Sequence, residues 1–184
     1  ACATPGPPPV PVAAPTLDTP FELSARVAVR RGDESAAANL RWRHAPPEDR
    51  LTITSPFGQT LAELDGEFGA VWMTLADGTR VGASDWPELT DRALGAPLPV
   101  AGLAWWIRGW PRPGPAHTIE RDPTGRAVVL RQDGWEIVYR HDARVAAGTT
   151  DGAAGAGVAN GAHPTRIHLA YPGIDVRIVV DAWQ

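Results

Sequence analysis

The chain has 184 residues, a formal charge of −4 and a pI of about 5.7, and all 17 of its basic residues are arginine. That length fits one domain with a substantial core, and the absence of a basic stripe argues against nucleic acid and against electrostatic capture by anionic lipid. One cysteine excludes an intrachain disulfide and a zinc site built on paired cysteines, and no run of about 18 apolar residues could span a bilayer.

That cysteine, Cys2, leads into Ala3-Thr4-Pro5-Gly6-Pro7-Pro8-Pro9-Val10-Pro11, which forms neither helix nor central strand. A small residue, then cysteine, then proline-rich sequence resembles the mature start of a bacterial lipoprotein, with Cys2 carrying the lipid. Residues 1–19 read as a lipidated N-terminus and tether. Extended, the stretch from Ala3 to Asp18 reaches on the order of 50 Å from a bilayer.

Order is expected from Pro20, with residues 20–184 forming one domain. Leu23, Ala25, Val27 and Val29 alternate with polar residues, and after Arg31-Gly32-Asp33-Glu34 so do Ala36, Ala38, Leu40 and Trp42. The two-residue period predicts paired strands. Leu51 to Thr54 is a third strand. Beyond the Ser55-Pro56-Phe57-Gly58 turn, Thr60 to Leu64 is a fourth, expected to end at Asp65-Gly66. Ala70 to Leu75 and Thr79 to Ala83 follow, joined through Asp77-Gly78.

The pattern then turns helical. Ser84 is the expected N-cap of a helix whose apolar face carries Trp86, Leu89, Ala93 and Leu94. A second short helix is predicted from Val100 to Arg108, stopped by Gly109 and Pro111. Strands resume at Ala116–Arg121, Ala127–Gln132, Trp135–Tyr139, Arg166–Tyr171 and Ile174–Trp183. Between them, 146–162 is almost wholly Gly, Ala, Thr and Asn and reads as a mobile loop.

The expected fold is therefore mainly β: about eleven antiparallel strands in one strongly curved open sheet, interrupted by a short helical insertion. Such a sheet must fill its inner face with side chains, a second sheet or a ligand. An apolar cavity under a helical lid is one solution, with Leu40, Leu51 and Val71 facing inward and Trp86, Leu103, Trp106 and Ile107 on the lid.

Catalysis finds little support. His44, His117, His141, His163 and His168 have no metal-ligand spacing, no serine sits in a Gly-x-Ser-x-Gly elbow, and no phosphate cradle is suggested. No metal or cofactor is expected. A scaffolding lipoprotein using Trp105, Trp106 and Trp110 as docking anchors is the alternative reading.

Ser55-Pro56-Phe57-Gly58, Leu98-Pro99, Leu103 through Gly109 with Pro111, Gln132-Asp133-Gly134-Trp135 and Val180-Asp181-Ala182-Trp183, in this order, resemble the outer-membrane lipoprotein receptor family LolB. The resemblance covers Phe21 to Trp183. It implies a half-barrel of eleven strands with a helical lid over an apolar cavity. It further implies a monomer on the outer membrane, facing the periplasm, which accepts acylated lipoproteins from the carrier LolA. Delivery would be into the inner leaflet of the outer membrane, without nucleotide. The family's protruding apolar loop residue corresponds to Phe57, between Pro56 and Gly58. Two features depart from the family: proline-rich sequence replaces an N-terminal helix, and the 146–162 loop is particular to this chain.

Overall fold

The structure is a computed structural model and describes residues 19–45, 47–67, 69–94, 100–141 and 163–184. Cys2, its tether and the 146–162 loop lie outside the described residues. Five strands of the first half form consecutive hairpins: β1 (Phe21–Arg31), β2 (Glu34–Ala45), β3 (Glu48–Thr54), β4 (Thr60–Glu67) and β5 (Ala70–Leu75). Then come β6 (Arg80–Ala83), α1 (Trp86–Leu94), α2 (Val100–Trp106), β7 (His117–Arg121), β8 (Ala127–Gln132), β9 (Trp135–Arg140), β10 (Arg166–Tyr171) and β11 (Ile174–Trp183).

All eleven strands share one antiparallel sheet in the order β6-β5-β4-β3-β2-β1-β11-β10-β9-β8-β7. The first and last strands pair at its centre, from Leu23 opposite Trp183 to Arg31 opposite Ile174. The edges β6 and β7 are joined in sequence by the helical insertion, and the sheet is not closed into a barrel.

Alternation fixes which side chains turn inward. Trp42 sits between Leu23 and Leu51 in register, and Leu51 between Trp42 and Leu64, so four strands place apolar groups on one face. The opposite face carries charges in cross-strand pairs such as Arg26–Asp181, Arg50–Asp65 and Arg131–Glu136. Exposed pairs of this kind add little stability and serve mainly to keep that face wet.

Two local expectations are corrected. Asp85, not Ser84, caps α1: its Oδ1 accepts from the Glu88 amide at 2.8 Å. Ser84 instead donates its amide and hydroxyl to the Glu88 carboxylate. Nor does Asp65-Gly66 end β4, which continues to Glu67. Gly66 is there because a Cβ would lie 2.5 Å from Cζ2 of Trp86, so only glycine lets the ring lie against the strand.

Candidate functional site

The turns at 32–33, 55–59, 76–79 and 172–173 fall on one end of the sheet, called upper here, because β1, β3, β5 and β10 all run towards it. Burial on the inner face changes along this axis. At the lower end Phe21, Leu23, Trp42 and Leu51 are buried, whereas Val27, Val29, Leu40 and Ile53, further up, are only partly covered. Val81 and Ile174 extend this half-covered apolar zone across β6 and β11.

Phe57 stands on the same upper rim. The turn that carries it is tightly bonded: Gly58 N–H donates to Ser55 O at 2.9 Å, and Ser55 N–H donates to Gln59 O at 2.7 Å. The Ser55 hydroxyl accepts from both the Phe57 and Gln59 amides, and Asn39 Nδ2 anchors Ser55 O to β2. Gly58 has φ 88°, which glycine adopts without strain. With its backbone satisfied locally, the loop projects its ring outward, and Phe57 is 93% exposed.

The second helix behaves oppositely. Trp106 is fully buried, and its indole N–H donates to Gln132 Oε1 at 2.8 Å. That oxygen also accepts from the Arg112 amide, while Gln132 Nε2 donates to Arg112 O and Pro115 O. One buried amide on β8 therefore holds both α2 and the connection that follows it. The Trp106 ring packs on its own helix because residue 102 is glycine; a Cβ there would sit 3.0 Å from Cζ2. The helix ends in a Schellman arrangement, Gly109 N–H to Trp106 O and Trp110 N–H to Trp105 O, with Gly109 at φ 79°.

Of the residues expected to line the cavity, Leu51, Val71, Trp86, Trp106 and Ile107 are buried in a single cluster, with Leu40 and Leu103 partly buried against it. The helices thus lie in the concavity, with Trp86 of α1 against the lower end of β4 and Trp106 of α2 against the upper end of β8. Trp105 and Trp106 are buried as well, which removes them as anchors displayed to a protein partner. Trp110 is half-buried, with the Arg121 guanidinium 4.7 Å from its ring centre. A cavity of about 530 Å³ at the lower end is bordered by Glu48, Asp49, Asp65, Glu67 and Arg80. Its charged lining does not suit hydrocarbon.

Comparison with known proteins bears on this arrangement. The family model described as "Outer membrane lipoprotein LolB" matches residues 19–183. The chain belongs to the LolB family. An outer-membrane lipoprotein LolB of Chromobacterium violaceum is 36% identical over 176 residues, covering 96% of this chain and 87% of its own length. One from Thiobacillus denitrificans is 33% identical over 186 residues, covering 100% and 90%. Among solved structures, a LolA superfamily protein from Nitrosomonas europaea matches with TM-score 0.51 at 10% identity, covering 93% of this chain and 88% of its own. A DUF1329 family protein from Desulfovibrio piger matches with TM-score 0.52 at 9% identity, over 91% and 87%. Identity at that level speaks for the open curved sheet alone.

In this LolB-family chain two residues matter more than their sequence context suggested. Gln132 read only as part of a motif before a strand. Its signal was a polar residue in phase with Leu130 on the inward face of β8, where an apolar one is the rule. Arg108 read only as the end of a helix, yet it is 4% exposed, with its Nε donating to Ala104 O.

Proposed function

We propose that this protein is an outer-membrane lipoprotein receptor: it accepts acylated lipoproteins from LolA and inserts them into the inner leaflet of the outer membrane. Cys2 carries the lipid that anchors it, residues 1–19 are the tether, and residues 20–184 form the lipoprotein-binding domain facing the periplasm. The relatives are named outer-membrane lipoproteins, and the chain shares most of their length. No bond is made or broken in this scheme, and no nucleotide or cofactor is called for.

One observation carries the reading. The half-covered apolar zone of the inner face opens on the same rim from which Phe57 projects. Acyl chains leaving the concavity there need cross little water before meeting lipid. Leu40, Leu51, Val71, Trp86, Leu103, Trp106 and Ile107 form the acyl-chain cavity and its lid; Pro56, Phe57 and Gly58 form the membrane-insertion loop.

Energetics favour this without a nucleotide. Burying an acyl chain gains about 0.8 kcal/mol per methylene, so ten methylenes gain roughly 8 kcal/mol. Displacing Trp106 from its seat exposes one large apolar side chain, about 3 kcal/mol, and breaks one buried hydrogen bond, about 1–3 kcal/mol. Hydrocarbon therefore outcompetes the closed lid. Phe57 contributes about 1.5–3 kcal/mol of lipid contact, which orients the protein yet lets it release. The test is a transfer assay with lipoprotein-loaded LolA and liposomes. Phe57→Glu should accept cargo at the normal rate and fail to deliver it; undiminished delivery would remove the loop from the mechanism.

A further inference from the structure

The buried side-chain polar atoms left without a hydrogen-bond partner, among the described residues, are Nη1 and Nη2 of Arg108, the Tyr139 hydroxyl and the Nδ1 atoms of His141 and His163. They belong to one region of the lower end. Gly109, beside Arg108, lies where a Cβ would be 3.5 Å from Ala127 Cβ and 3.7 Å from Pro164 Cγ. Ala127 O lies 2.8 Å from His141 Nε2, and Pro164 follows His163. Arg108 lies over Phe21 and Trp105, at 5.2 and 5.4 Å, and Trp183 packs between Phe21 and His163.

A buried guanidinium is costly unless its charge and donors are met. Rings meet part of the charge and none of the terminal N–H groups. Asp49 contributes only at a distance: its Oδ1 is occupied by Trp42 Nε1 and His44 Nδ1. Burial pulls Arg108 below its usual value, and burial together with the charges of Arg108 and His141 pulls His163 down.

We propose that Arg108, His141 and His163 form a binding site for a small phosphate-type oxyanion, a free phosphate or a phosphomonoester. The chemistry of the nitrogens selects the ligand. Arg108 offers a fork of donors suited to divergent oxyanion oxygens. His141 Nε2 lies 2.8 Å from Ala127 O and donates to it, which leaves Nδ1 as the ring nitrogen able to face a ligand, an acceptor whenever the ring is neutral. Hydrogen phosphate meets both needs, accepting from Arg108 and donating its own P–OH to an imidazole. Sulfate and carboxylates have no such proton at neutral pH, and neither does the phosphodiester of a lipid headgroup.

The experiment titrates the full chain at pH 7 with inorganic phosphate, sulfate, acetate, potassium chloride at matched ionic strength, and phosphatidylglycerol vesicles. Thermal melting and ³¹P line broadening are the two readouts. A saturable rise in Tm with phosphate, at least tenfold weaker with sulfate and lost in Arg108→Leu, is expected. The ³¹P signal of phosphate should broaden with the unmodified protein, a readout that stands even if the variant does not fold. Equal responses to phosphate, sulfate and chloride mean that water and adventitious ions fill the region, and overturn the site. So does a response confined to the vesicles, or one retained in Arg108→Leu.

Discussion

Phe57 and Trp106 are both aromatic side chains on short connections of one sheet, and they end at opposite extremes: Phe57 is 93% exposed, whereas Trp106 is fully buried. The difference lies in what surrounds each ring rather than in its hydrophobicity. Trp106 has a seat, because glycine at 102 admits it to the face of its own helix and Gln132 receives its N–H. A buried indole without such an acceptor forfeits much of what its burial gains. Phe57 has no polar atom to satisfy and no groove to enter, because the turn under it closes on its own backbone. Leaving it in water forgoes about 2 kcal/mol of burial. That exposure is what the proposed contact with lipid requires of Phe57.

The contrast can be broken by substitution. Trp106→Ala should have the largest effect, lowering unfolding free energy by about 3–5 kcal/mol in urea titration, since it opens a cavity and removes one of the two donors to Gln132 Oε1. Gln132→Leu comes next, at about 2–3 kcal/mol, because the Trp106 indole and the Arg112 amide and carbonyl lose their partner together. Gly58→Ala should cost about 1 kcal/mol by placing a side chain at positive φ, with nothing nearby to clash. Phe57→Ala should shift stability by no more than about 0.5 kcal/mol while abolishing delivery to liposomes. A loss of stability approaching that of Trp106→Ala would show that the two rings share one role.

A smaller effect separates the lower end from both. His163 is held below its ordinary value by burial and neighbouring cations. The unfolded chain therefore takes up its proton first as pH falls through about 6.5. Stability should drop across that range and be restored above it, and His163→Phe should flatten the slope seen in urea midpoints at pH 5.5 and 7.5. Asp122 acts in the same direction at lower pH. Bonds from Thr124 and from Arg126 depress its carboxyl, so its contribution holds at neutral pH and fades in strong acid as the group protonates.

Much of the fold was legible because an alternating strand leaves a two-residue imprint whatever its neighbours are. Leu23 to Val29 and Ala36 to Trp42 announced both their strands and their inward faces, and Ile174 to Trp183 announced its strand. Gly66 was misread, since a glycine that opens a turn and one that admits a ring look alike in sequence; the reason for it lies on α1, at Trp86. Phe57 at the tip of a Pro-Gly turn was legible for the same local reason that it is exposed.

Sequence by itself determined most of the strands and turns and the protruding ring, because each rests on neighbours within a few residues along the chain, and the order of several such short motifs pointed to the family. Tertiary structure decided that Trp106 turns inward to Gln132, 26 positions away. It also set the half-covered apolar zone on the rim of Phe57 and drew Arg108, His141 and His163 into one region where, among the described residues, both Nη atoms and the two Nδ1 atoms have no hydrogen-bond partner. Those outcomes depend on which distant strands the curved sheet brings opposite the helices, and no local pattern encodes that geometry.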